Sequence, residues 1–273
     1  MFQFETKPSS RRSAVSMFEL IYHSVVRSIR KTHGNAVMSL AINMLQTITF
    51  VAAFYVMFTV LGLRGAALRG DFLMYIMSGV FLFLTHTKTV SAVIKTEGPS
   101  SPMMKHAPMN TIVALAASAL GSLYIQFLSL ISILFVYHVG FKPLEVEDYS
   151  GAIGMVFLAW ISGVGVGMIF LSLRPWFPSF VNIGSQIYNR ANMIASGKMF
   201  VANSLPSFML AFFDWNPLFH IIDQARGFVF INYNPHYTNY EYPIIVTVVL
   251  ILLGLMGEFY ARKNASLSRE ASR

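Results

Sequence analysis

Residues 149–173 read YSGAIGMVFLAWISGVGVGMIFLSL, an unbroken stretch without a charged side chain. A helix needs about 20 mainly apolar residues to cross the hydrocarbon core of a bilayer. Working outward, the same signature recurs from Ala36 to Leu63, Phe72 to Ile94, Asn110 to His138 and Tyr242 to Tyr260. Lys88 lies near the far end of the second run, where it could snorkel to the headgroups, and Glu258 lies near the end of the last. A further run, from Trp176 to about Met199, is more polar and carries Arg190 in its middle.

Composition agrees. The 273 residues are 55% hydrophobic and only 12% charged, where a soluble domain averages about 25% charged. A soluble protein of this size must cover itself with charge, and this chain cannot. Its formal charge of +8 sits at the ends of apolar runs, where it sets membrane orientation; no nucleic-acid-binding motif accompanies it. Cysteine is absent, which excludes disulfides, thiolate catalysis and cysteine-held metals. The first 35 residues are too polar for a cleavable signal peptide.

The segment Phe200 to Tyr240 holds two short apolar pieces, 200–213 and 218–231, on either side of Asp214-Trp215-Asn216-Pro217. Each is too short to span comfortably, which suggests a re-entrant pair; separate spans would bring the count to eight. The expectation is an all-α membrane protein with six transmembrane helices and a re-entrant helical pair before the last helix. Residues 1–35 form an N-terminal segment and residues 36–273 the transmembrane domain. With the N-terminus inside, most Lys and Arg fall in cytoplasmic segments, so both termini are expected in the cytoplasm, at the inner membrane. In the N-terminal segment Phe18, Ile21, Tyr22, Val25, Val26 and Ile29 recur at helical spacing opposite Glu19, His23, Arg27, Arg30 and Lys31. This is an amphipathic helix, lying in the membrane plane or packed on a soluble partner.

Enzymatic motifs are missing: there is no phosphate-binding G-x-x-x-x-G-K-[ST], no H-E-x-x-H and no nucleophile elbow. His220 and Asp223 are weak evidence for a metal. Gly163 and Gly167 make a small-x-x-x-small face for a close helix, within one subunit or beyond it. Arg190, among Asn182, Ser185, Gln186, Asn189 and Asn192, is either a functional intramembrane charge, a structural ion pair or the mark of a span boundary placed elsewhere. Phe50, Phe54 and Phe58 share one helix face, suited to sugar rings or to packing.

The ordered set Arg190, Ser196-Gly197, Leu205-Pro206, Asn216-Pro217-Leu218, His220 and Arg226 resembles the end of ABC-2 type ABC-transporter permeases, most closely the subfamily exporting capsular polysaccharide and O-antigen. The hydropathy pattern extends the resemblance over nearly the whole chain, although Gly98-Pro-Ser-Ser-Pro102 departs from it. The resemblance implies a transport subunit and no catalytic residues. Two copies of the chain form a pore, and two copies of a separate ABC ATPase, carrying ATP and Mg, supply the power; this chain binds no cofactor or metal. Met103, Met104, Lys105, Glu19 and Arg27 would couple to the ATPase. Phe50, Phe54, Phe58, Tyr188 and Arg190 would line the path of a polysaccharide. Leu205, Pro206, Asn216, Pro217, His220 and Arg226 would form an outer gate. An ABC-2 permease for a drug or lipid, an intramembrane enzyme, and a stand-alone channel or carrier are the competing readings.

Overall fold

The computed structural model describes residues 19, 21–26, 36–62, 71–96 and 111–264. Its elements, in chain order, are α1 (Ala36–Val60), α2 (Phe72–Ile94), α3 (Thr111–Gly140), α4 (Tyr149–Leu173), α5 (Pro178–Ala195), a 3-10 turn (Ala202–Ser204), α6 (Ser207–Phe213), α7 (Pro217–Val229) and α8 (Glu241–Lys263). No strand occurs among the described residues. Glu19 and residues 21–26 are also helical. Arg27, Met103, Met104 and Lys105 lie outside the described residues.

Five helices, α1, α2, α3, α4 and α8, are long and apolar enough to cross a membrane. α5 is not among them. It has 18 residues and carries Asn182, Gln186 and Arg190 on its exposed side. The expected count of six therefore rests on α5, whose hydropathy alone does not establish a crossing.

α2 is the axis of the bundle, with 83% of its most apolar stretch buried, whereas α1 and α8 are buried over only 28% and 22%. Apolar residues on their outer faces, such as Leu45, Val56, Leu252 and Met256, need a hydrocarbon solvent to be tolerated in such number. α4 packs between α2 and α8. Its glycines make this possible: a Cβ at Gly163 would lie 2.7 Å from the His86 carbonyl, and one at Gly167 would lie 2.7 Å from Val93 Cβ. The Gly163/Gly167 face is thus spent on packing within one chain.

Polar side chains tie these helices together. Asn43 of α1 donates to Ser129 Oγ (2.8 Å) and accepts from Gln126 (3.0 Å), both of α3. Thr89 of α2 meets Ser122 of α3 at 2.9 Å. Lys88 does not snorkel; its ammonium donates to Gln46 of α1. Such bonds are worth about 0.6 kcal/mol each on average in membranes, so they fix register more than they stabilise.

One end of the bundle carries Asp71, Gly140, Tyr149 and Glu241; the other carries Ile94, Leu173, Pro178 and Lys263. At the first end, Asp71 caps α2 by accepting from Leu73 and Met74 N–H and pairs with Lys142 at 3.3 Å. At the second, Arg174 donates to the Ile94 carbonyl at 2.8 Å, capping the last turn of α2.

Candidate functional site: the segment between α5 and α8

α5 ends at Ala195 because Gly197 turns the chain with a φ of +70°, a conformation that costs glycine nothing. The following loop presses against Gly79, where a Cβ would lie 2.8 Å from both the Lys198 carbonyl and the Arg226 guanidinium. Gly79 and Phe83, the latter touched by Lys198, lie seven and eleven residues beyond Phe72 in α2. At 1.5 Å per residue this places the loop roughly 10–16 Å below the Asp71 end. Yet the C-terminus of α7 returns to that end, where Phe228 and Val229 carbonyls accept from Asp148 and Glu147 N–H at 2.9 and 3.4 Å.

The organising group is Arg226, fully buried. Its Nη1 donates to the Gly197 carbonyl (2.9 Å) and the Phe200 carbonyl, and its Nη2 to the Lys198 carbonyl (2.6 Å). Its plane sits 4.4 Å from the Tyr75 ring centroid, a cation–π contact. One side chain thereby satisfies the Lys198 and Phe200 carbonyls, which a non-helical loop would otherwise leave unpaired in the interior, and adds a second donor to the Gly197 carbonyl, which already accepts from Phe200 N–H at 3.2 Å. Asp223, one turn earlier on α7, accepts from Ala202 N–H (3.0 Å), the Tyr233 hydroxyl (2.6 Å) and the Thr238 hydroxyl (2.8 Å).

Asn216 and Pro217 start α7. Asn216 Oδ1 accepts from Leu218 N–H at 3.0 Å, while its amide donates to Asn192 Oδ1 and the Ala195 carbonyl, each at 2.9 Å. Pro217 supplies the preset φ of a first turn. His220 Nδ1 accepts from Asn239 N–H (3.3 Å), so its Nε2 carries the proton and donates to the Asp214 carbonyl at 2.7 Å. His220 and Asp223 are each occupied by separate partners, and no group of three His, Asp or Glu close enough to hold a metal occurs among the described residues.

The structure therefore brings Asn216, Pro217, His220 and Arg226 together on α7 and its cap. Leu205 and Pro206 lie in the link leading into α6. α6 buries none of its residues, and Phe208, Phe212 and Trp215 are about two-thirds exposed. Tyr188 turns inward and meets His86 Nε2 at 2.8 Å. Arg190 is exposed on the chain, one helical row with Asn182 and Gln186. Phe54 is buried, and Phe50 and Phe58 pack half-buried against α2, Phe50 on Phe83 and Phe58 on Phe72.

Two residues escaped the sequence reading. His86, wholly buried, is held by Ser162 Oγ at 2.9 Å as well as by Tyr188. Lys198 is 97% buried (3% exposed), and its ammonium lies 3.4 Å from the Phe83 ring centroid and 5.2 and 5.7 Å from those of Phe54 and Phe50. Its Nζ has no hydrogen-bond partner among the described residues. The only sequence signal was its place directly after the turn-forming Gly197.

The chain is similar to two Escherichia coli sequences of the polysialic acid transport protein KpsM, 21% and 22% identical over 198 residues, 72% of this chain and 76% of each relative. The resemblance to ABC-2 polysaccharide permeases holds. No protein-family model matches the chain. At this identity the similarity says what the chain resembles and not the role of any one residue.

Proposed function

We propose that this chain is the transmembrane subunit of an ABC exporter that passes a polysaccharide across the inner membrane, powered by ATP hydrolysis on a separate subunit. The observation that carries this reading is the similarity to polysialic acid transport proteins over 198 residues. The Arg226-anchored loop, whose non-helical backbone lies at depth against Gly79, supports it, because irregular backbone at depth is tolerated where it borders a protein-lined path.

In this reading α5 is the sixth crossing. Its exposed row of Asn182, Gln186 and Arg190 meets a second copy of the chain and the water path between the copies, since a lipid-facing arginine at the bilayer centre costs about 2.5–3.5 kcal/mol even on insertion scales. The Asp71 end faces outward and both termini face the cytoplasm. Met103, Met104, Lys105, Glu19 and Arg27 contact the ATPase, and the α6–α7 segment forms the outer gate. ATP binding on the partner favours one arrangement of the two permease copies, and hydrolysis restores the other.

Reconstitution in vesicles tests this directly. Glycan passage is expected only when the chain, its ATPase and ATP with Mg are all present. Passage by the chain alone would establish a channel or carrier and end the coupled reading.

A further inference from the structure

A cavity of about 710 Å³ opens at the Asp71 end, between the α3–α4 connection, the start of α2 and the residues that follow α7. This lies within the ~300–1,000 Å³ range of small-molecule sites. It is separate from the Arg226 network and from the row on α5. Three features of its lining belong together. Tyr149 presents a half-exposed ring, 53% accessible, tethered through its hydroxyl to the Leu144 carbonyl at 3.4 Å. Glu145 and Glu147 are exposed and form no ion pair among the described residues. Lys142 is already paired with Asp71 at 3.3 Å, and Asn232 adds an amide.

We propose that this cavity is a binding site for a neutral sugar residue. The chemistry follows from the lining. A pyranose has one face of weakly positive C–H groups, which suits the negative face of an aromatic ring. Its rim of hydroxyls donates to free carboxylates in charge-assisted bonds, while the Asn232 amide both donates and accepts. Charge selects among sugars. Three carboxylates face one ammonium, a net of two negative charges around the cavity. An acidic sugar therefore meets repulsion and finds no unpaired cation. The site rests on the transport reading above, where it would take a cargo unit at the outer end of the path, and it commits that cargo to containing neutral sugars.

The test is binding, and needs no ATPase, so its failure leaves the transport reading standing. The purified full chain, in a detergent without a sugar headgroup, is titrated calorimetrically with cellobiose, maltose and glucuronic acid. A neutral disaccharide is expected to bind in the ~mM range and glucuronic acid at least ~10-fold more weakly. Tyr149→Ala should weaken the neutral sugar ~10-fold, whereas Tyr149→Phe, which keeps the ring, should bind as the parent does. Joint Glu145→Gln and Glu147→Gln should narrow the gap between neutral and acidic sugars. Absence of binding, tighter binding of glucuronic acid, or indifference to Tyr149→Ala in a chain of unchanged helicity would each overturn the proposal.

Discussion

Arg226 and Lys198 sit within a few ångströms of each other and represent opposite energetic situations. Arg226 is surrounded by carbonyls and an aromatic face. Hydrogen bonds to charged groups are each worth about 1.5–3 kcal/mol, so Arg226→Met, which removes three of them and orphans the Lys198 and Phe200 carbonyls, is expected to cost more than about 3 kcal/mol. Loss of the folded, monodisperse fraction on size exclusion would report it. Lys198 has only rings around it. A desolvated cation–π contact gives about 2 kcal/mol, less than the several kcal/mol of burying an unpaired ion. Lys198→Met should therefore leave the thermal midpoint unchanged or raise it; a fall of several degrees would show that the cation is itself a strut. Asp71 gives a pH signature. Burial alone would raise its carboxyl, but hydrogen bonds from Met74 N–H, Lys142, the Tyr137 hydroxyl and Leu73 N–H outweigh burial and hold it below the ordinary 3.8. The folded value is the lower one, so its stabilisation is complete above the ordinary value and is lost as pH falls through the folded value. Asp71→Asn keeps the cap oxygen but removes this loss. The parent should show a drop in thermal midpoint between about pH 5 and pH 3 that is larger than in the variant.

At the scale of elements, close approach decides the architecture. Gly79 lets the loop of residues 196–201 lie against α2, and Gly163 and Gly167 let α4 do the same from another side. Replacing Gly79 by Leu should displace the loop and break the Arg226 contacts. Gly167→Leu should force α4 off Val93 at a typical overpacking cost of about 1–3 kcal/mol. Both are measurable as lowered thermal midpoints, with Gly154→Leu, whose Cβ meets nothing within 4 Å, as the control that stays unchanged. These effects also explain what was legible beforehand. The five apolar helices and the break at Asp214–Pro217 were plain in the sequence, because solvent imposes length and polarity locally. The partners of Lys88, His86, Lys198 and Asp223 were not. They are set by packing between helices far apart in the chain, as with His86 and Tyr188, 102 residues apart. A lysine in a short polar loop looks like a surface charge until the loop is seen to turn inward.

For the whole molecule, the unequal covering of its helices carries the argument. α2 is enclosed, α1 and α8 leave most of their apolar length uncovered, and among the described helices α5 presents a polar row outward. In the proposed reading a second copy of the chain covers that row. This arrangement depends on α5 being a true crossing, with both tails on the side opposite the Asp71 end. The chain contains no cysteine, so single cysteines can be placed without background. With Ser9→Cys, Glu145→Cys, Tyr237→Cys and Ser268→Cys, a membrane-impermeant thiol reagent on intact cells is predicted to label positions 145 and 237, and to reach 9 and 268 only after the membrane is opened. Labelling of positions 9 and 268 from opposite faces would contradict the account at its root.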